Sequence, residues 1–399
     1  MAKAGKNKKK DTQPAPEKVE NSTSIADMLE QPKIQLVLFG LLFLFLLFLY
    51  RPIVFGGMEG NGGDVLSNIG NTKQIKQIEA ETGIKPLWNP YMFAGTPIYH
   101  RHNAISYSVD SLIWTLDGLI DWRIWYLLLG AVGIFLLAKY LGLSAITGIA
   151  GAIGFIMLPH FHALLVVGHF AKFRAIAWIP YAMLTFLMLM RRRDILSAVL
   201  FTSAFALLLR TQHYQIVFYT ILLLLFVGIP PYLSMIKEKK WPEFLRFNGL
   251  FVGAMLLVVL IVVQPLFITY DYTPHSTRGG NSVSLNPQET KAERKGVGFD
   301  YATNWSYSPE EFWNLIIPRF HGGTSTEVYN GDAVPQLTGQ RIPTYWGDMP
   351  FTQSLEYIGI ILVYLALIGV LFRWREPLVK SLVFLTIFAL LMSLGKHFE

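Results

Sequence analysis

The sequence predicts an all-α, polytopic integral membrane protein of about nine transmembrane helices, and three observations carry that reading. Of 399 residues, 52% are hydrophobic and 15% charged, with a mean hydropathy of +0.39, whereas soluble domains carry about a quarter charged residues. Apolar runs of membrane-crossing character recur along the chain. The Lys/Arg clusters between them fall on one side of the resulting layout, as the positive-inside rule requires.

Residues 1–33 open MAKAGKNKKK and continue with Pro, Glu, Ser and Thr. They are too polar to bury a core and read as a disordered, basic cytoplasmic tail. The first apolar run starts too late for a signal peptide, and no small-residue cleavage site follows it. Residues 34–54, nearly all Leu and Phe, suffice to cross the roughly 30 Å hydrocarbon layer. Residues 55–121 then form a first outer loop with interfacial helices. It holds a Gly-rich turn with Glu59 and Asp64, an amphipathic segment ending near Gly83, and an aromatic, Pro-punctuated tail. The mixed segment 105–121, with Trp114, Asp110, Asp117 and Asp121, reads as a second interfacial helix.

Spans two to seven occupy 122–268, as runs at 122–141, 145–158, 173–190, 195–209, 214–233 and 248–268. The Gly- and Ala-rich run at 145–158 suits close helix packing. LPHFHALLVVGHFAKF (158–173) sets His160, His162 and His169 at the junction of two spans, as a re-entrant or broken helix lining a cavity would. A long, aromatic-rich outer loop, 269–354, precedes the eighth span, and 355–394 holds spans eight and nine. Lys139 and the basic groups at 191–193, 237–240 and 373–375 share one side with the N-terminal tail, which puts the N-terminus in the cytoplasm. The chain stops at 395–399 directly after a span, with an outer end that reads as truncated.

The net charge of +7 is parcelled into these clusters, a pattern of membrane orientation and not of nucleic-acid binding. The chain has no cysteine, so neither disulfides nor thiol chemistry are available. No P-loop, dinucleotide fingerprint, zinc spacing or internal repeat occurs. Asn304-Trp305-Ser306 fits a glycosylation sequon, a match that arises often by chance.

Asp64 has two readings, which are compatible. As a short acceptor after Gly62 and Gly63 it suits an N-cap for the helix that follows, with Gly83 as the stop. As an acidic group at the membrane surface it suits a general base or a metal ligand. Glu59 could join it in holding a divalent cation through oxygen ligands, or could simply belong to a solvated turn.

A second set converges once the topology is imposed. His169, Lys172 and Arg174, with His160 and His162, lie at the outer end between two spans. Arg210 and His213 lie at the outer tip of the next hairpin, and Arg278 just beyond the outer end of the span closing at Ile268. Cationic donors on the face where positive charge is scarce suit a phosphate head group, Arg offering bidentate geometry. The alternative is interfacial snorkelling. Trp88, Trp305 and Trp346 are candidates for stacking on sugar rings, with an interfacial aromatic belt as the alternative.

PLWNPYMFAGTPIY (86–99), GHFAKFRAIAWIPY (168–181), NWSYSPEEFWNLIIPRFHGG (304–323), YIG (357–359) and SLGKHF (393–398) together resemble the bacterial YfhO membrane protein family, in order and spacing from about residue 51 onward. That family is similar to the GT-C glycosyltransferases, which take a sugar from a polyprenyl-phosphate carrier and use an acidic residue of the first outer loop. The resemblance implies a GT-C-like fold and a transferase of the bacterial inner (cytoplasmic) membrane. Its partners would be a polyprenyl-phosphate-linked sugar, membrane lipids and an envelope polysaccharide, lipid or protein acceptor. It also implies that the chain is the N-terminal part of a longer protein. Asp64 takes the acidic position, Glu59 being the second choice. No Asp-x-Asp pair occurs in the first loop, so metal-free base chemistry is expected, with a divalent cation as the alternative.

Two other classes of function fit the residues less closely. A transporter or lipid flippase places ionisable groups at mid-membrane and often carries inverted repeats, and neither is visible here. A non-enzymatic scaffold for envelope assembly would leave Asp64 replaceable.

Overall fold

The structure, a computed structural model, describes residues 25–60, 62–92, 95–99, 108–276, 297–352 and 356–398. Arg278 lies outside the described residues, as do 1–24 of the predicted tail.

Helices account for most of the described chain. The predicted tail ends in α1 (Ile25–Leu29), and α2 (Pro32–Leu49) carries the first apolar run, followed by the short α3 (Arg51–Val54). The last nine residues assigned to a disordered tail are therefore structured. The reason is Glu30, whose carboxylate takes Lys139 Nζ at 2.6 Å and the Ala145 amide at 2.7 Å, fastening the segment to two other helix ends. Lys139 beside it holds the Glu30 carboxyl below the usual carboxylate range.

α4 (Gly63–Thr82) fills much of the first loop and stops at Gly83, whose φ of +69° is the left-handed conformation that glycine adopts freely. β1 (Trp88–Asn89) pairs antiparallel with β2 (Thr96–Pro97). Asn89 ties this hairpin to α4 by donating to the Asn71 carbonyl at 2.9 Å. α5 (Val109–Leu116) is the described part of the second interfacial segment, and Ser108 caps it by accepting from the Ser111 amide.

The bundle proper comprises α6 (Trp122–Tyr140), α7 (Ala145–Ile156), α8 (Pro159–Val167), α9 (Phe170–Arg192), α10 (Ile195–Arg210), α11 (Tyr214–Lys237) and α12 (Trp241–Ile261). α13 (Val263–Tyr272) follows, then a largely irregular segment with α14 (Phe299–Ala302), and finally α15 (Ile360–Arg373) and α16 (Pro377–Ser393). Among the described residues six helical stretches are long and apolar enough to cross a membrane: α2, α6, α7 with α8, α9, α11 and α12. The predicted spans at 195–209, 355–372 and 378–394 are helices of 16, 14 and 17 residues, α10, α15 and α16. At 1.5 Å per residue the shortest of these covers only about 21 Å.

α9 is the most enclosed helix. Its first turns, with Phe173 and Ala177, join a core built by α2, α6, α7 and α8. Its later turns, from Trp178 to Met190, join a second core with α10, α11 and α12. Close approach between α6 and α7 depends on small residues, since a Cβ on Gly148 would stand 2.9 Å from the Phe135 ring.

Two chemically different ends result. At the C-terminal ends of α6 and α9, Lys139 meets Glu30, Arg191 lies over Tyr140, and Arg193 bonds Glu243 at 2.6 Å. At their N-terminal ends lie the acidic and histidine side chains of the first loop and of α8.

The segment 297–352, predicted as an outer loop, is irregular but tied down. Glu311, fully buried, closes a capping box with Ser308 and accepts from the Tyr345 hydroxyl. A two-residue ladder joins β3 (Glu327–Val328) to β4 (Arg341–Ile342). Backbone bonds from Tyr307 to Ser393 and from Ile358 to Leu315 fix the segment to the start of α15 and the end of α16.

Candidate functional site

The site is built where a Gly-rich turn docks on a broken helix. The apolar run after Ser144 does not continue as one rod. α7 ends at Met157, Pro159 starts α8 at a position where its missing N–H costs nothing, and Gly168 at φ +97° ends it. α9 then begins at Phe170 with His169 as its N-cap residue.

The end of α8 receives the turn carrying Gly60 and Gly62. The Gly62 amide donates to the Val166 carbonyl at 3.0 Å. A Cβ on Gly62 would stand 2.6 Å from both that carbonyl and the Val167 Cα, so only glycine fits. On the other side Gly168 meets Val65, whose Cγ2 would lie 2.6 Å from an added Cβ. Main chain therefore approaches main chain, and two residues far apart in sequence come to face each other.

Those residues are Asp64 and His169. Asp64 Oδ2 lies 2.9 Å from His169 Nε2, and the two side chains are 64% and 48% exposed. Gly62 is the N-cap residue of α4, and no side chain caps that helix. The N-cap reading of Asp64 is thus corrected. The backbone turn sets Asp64 inside the first turn, where the helix dipole favours a carboxylate, and its oxygen reaches the imidazole.

Glu59 has a separate partner. Both its oxygens accept from Arg123, at 2.8 and 3.1 Å, and Asp121 takes the same guanidinium through Nε at 2.7 Å and Nη2 at 2.6 Å. Arg123 is 3% exposed and Glu59 54%. Asp121 also caps α6 through the Arg123 amide. Asp64 and Glu59 are thus committed to different groups. Among the described residues no group of three or more His, Asp or Glu side chains is arranged to hold a metal ion.

The predicted cationic set divides. Arg174 lies over the Trp114 ring at 5.7 Å and interacts with the Tyr126 hydroxyl. That hydroxyl donates to the buried Asp110 carboxylate, which also takes Trp178 Nε1 at 3.4 Å. His160 turns instead toward Glu356, its Nδ1 lying 3.5 Å from the carboxylate, and Lys172 lies within the field of the same carboxylate. His162 stacks on Tyr50 with ring centroids 5.0 Å apart. Arg210 ends α10, and His213 caps α11 by accepting from the Ile216 amide at 3.4 Å through Nδ1. That nitrogen is an acceptor there, so it is not free to donate to a phosphate.

The three tryptophans lie on different elements. Trp88 is on β1, with Gly95 against its indole. Trp305 donates to the Phe351 carbonyl at 3.1 Å. Trp346 packs on the buried His321 with ring centroids 4.2 Å apart, leaving its outer face open.

Arg123, Tyr126 and Glu356 were missed as functional candidates. A signal existed for Arg123, since an Arg at the second position of an apolar span is buried only with partners. Asp121 and Glu59 are those partners. Glu356 gave none, because the cations it faces, His160 and Lys172, come from chain segments more than a hundred residues away.

No protein-family model, no curated protein and no solved structure matches this chain.

Proposed function

We propose that the protein is an integral-membrane glycosyltransferase of the GT-C type, moving a sugar from a polyprenyl-phosphate carrier to an envelope acceptor on the outer face of the bacterial inner membrane. In this reading the chain makes nine spans with a cytoplasmic N-terminus, α10, α15 and α16 being the shorter three. The observation that carries it is the Asp64–His169 pair, an accessible carboxylate in hydrogen-bond contact with an imidazole. The similarity of the sequence to the YfhO family supports the same reading.

Asp64 takes the proton of an acceptor hydroxyl as that oxygen bonds the anomeric carbon and the bond from the anomeric carbon to the carrier phosphate breaks. His169 orients the carboxylate and passes the proton to solvent. The phosphate leaves with its electron pair, and Arg174, Lys172, Arg210 and Arg278 are the candidates to offset its charge. Glu59 is a structural anchor for Arg123 in this scheme, not a second base. Trp88, Trp305 and Trp346 offer ring faces to the saccharide.

The test is transfer of labelled sugar from polyprenyl-phosphate donors by the purified protein in lipid nanodiscs, scored by release of polyprenyl phosphate. Wild-type turnover with an Asp64→Asn variant reduced about 10²- to 10⁴-fold supports the assignment. A folded, fully active Asp64→Asn overturns the base. Absence of release with every donor, beside solute or lipid movement across the bilayer, overturns the transferase in favour of a transporter.

A further inference from the structure

At the basic end of the bundle, opposite Asp64, a groove of about 830 Å³ opens between α11 and α16. Ligand sites run from roughly 300 to 1,000 Å³, so its size is in range. Pro230 and Pro231 sit inside α11 beside the groove and, having no N–H, remove two helix hydrogen bonds there.

The groove has a head and a body. Phe226, Ile229, Leu233 and Phe384 line the body. At the mouth stand Lys237, from the last turn of α11, and Lys380, from the first turn of α16. Neither makes an ion pair among the described residues: Lys380 Nζ lies over the Trp374 ring at 6.0 Å, Glu238, which also lines the groove, is held by Lys240 at 2.6 Å, and Glu376 is held by Arg373. Ser381 also lines the groove and is 5% exposed.

We propose that this groove binds an anionic phospholipid of the adjacent leaflet, its phosphate between Lys237 and Lys380 with Ser381 donating, and an acyl chain along Phe226, Ile229 and Leu233. Charge complementarity selects the occupant: a zwitterionic lipid gains little from two ammonium groups that have no carboxylate partner, and a free anion leaves the apolar body uncovered. Basic clefts between membrane helices recognise acidic head groups in this way. The site is independent of the proposed transferase chemistry.

The experiment is native mass spectrometry of the full chain released from detergent with phosphatidylglycerol or phosphatidylcholine of identical acyl chains. Retention of phosphatidylglycerol over phosphatidylcholine is expected. Lys237→Gln/Lys380→Gln should weaken it about 20- to 30-fold, each lysine near a membrane surface being worth about 1 kcal/mol, roughly fivefold. Leu233→Trp, which fills the body and keeps both lysines, should weaken it comparably. Equal retention of the two lipids, or unchanged retention in either variant, overturns the proposal. So does full displacement by inorganic phosphate, which would make the site one for anions alone. Dimerisation abolished by Leu233→Trp would assign the groove to a second copy of the chain and overturn it as well.

Discussion

Asp64 Oδ2 and His169 Nε2 lie 2.9 Å apart across 105 residues of sequence, one in the first turn of α4 and the other at the start of α9. An exposed carboxylate usually satisfies itself with its own helix or with water. This one is directed at a side chain from another element, which orients it.

If His169 positions Asp64, replacing it should be milder than losing the carboxylate. His169→Gln keeps a donor and should lower kcat about tenfold, with KM nearly unchanged. His169→Ala should lose about 10²-fold, within the range of a general acid–base contribution. Steady-state transfer assays measure the split, and equal KM and kcat losses in His169→Gln would assign the residue to substrate binding.

Gly168 and Gly62 set the approach that brings the pair together. Gly168→Ala forces a Cβ both into a left-handed backbone and against Val65, and should cost about 1–3 kcal/mol. A cysteine pair at Asp64 and His169 reports the geometry. Its oxidation should be fast in the parent and slow beside Gly62→Ala, although neither glycine touches a reacting atom.

The Arg123 ion cluster predicts an asymmetry. Arg123→Ala strands Asp121 and Glu59 and removes a buried cation, with a cost of about 3–5 kcal/mol. Glu59→Gln leaves Arg123 paired with Asp121. Because Glu59 is 54% exposed, its loss should cost only about 1 kcal/mol. Thermal unfolding in detergent separates the two, and equal destabilisation would mean that Glu59 carries more than this contact.

The segment 297–352 should lose structure at both extremes of pH. Burial, with Glu311 beside it, pushes the Tyr345 hydroxyl above the ordinary tyrosine range, and Tyr307 shifts the same way through burial and Glu356. The folded segment holds these protons more tightly than the unfolded chain, so their contribution is present below the ordinary tyrosine pKa and is lost as pH rises through the raised one. Glu327 has the opposite sign. Burial raises its carboxyl, but Arg319 and Thr344 outweigh this and hold it below the usual range. Its contribution is present above the ordinary carboxylate pKa and lost as pH falls through the depressed one. Fluorescence of Trp346 on His321 follows both limbs. Tyr307→Phe/Tyr345→Phe should remove the alkaline limb, and Glu327→Gln the acid one.

The sequence carried the membrane architecture because hydropathy is local. Each predicted apolar run is largely helical, although 34–54 divides into α2 and α3, 248–268 divides at Val262 into α12 and α13, and the run at 355–372 is helical only from Ile360. The punctuation of LPHFHALLVVGHFAKF by Pro159 and Gly168 marked the break between α8 and α9. The helix boundaries were less legible. α12 starts at Trp241, seven residues before the predicted run, because Pro242 favours a helix start even among charged neighbours. The site was half legible. Shared topology brought Asp64 and His169 to one face, but topology alone does not distribute partners, so Lys172 facing Glu356 and Arg174 facing Tyr126 stayed hidden. Such pairings depend on side-chain direction between distant segments, for which a single sequence holds no periodic signal.

α8 has nine residues, and its C-terminal end both receives the Gly62 amide and leads into His169. A helix turns about 100° and rises 1.5 Å for every residue. One residue inserted before Val166 would therefore swing the docking carbonyl and the imidazole around the axis together, carrying both away from the turn that holds Asp64. Length within α8 is then a tighter constraint than side-chain identity, and a conservative substitution along it should be tolerated where a single insertion is not.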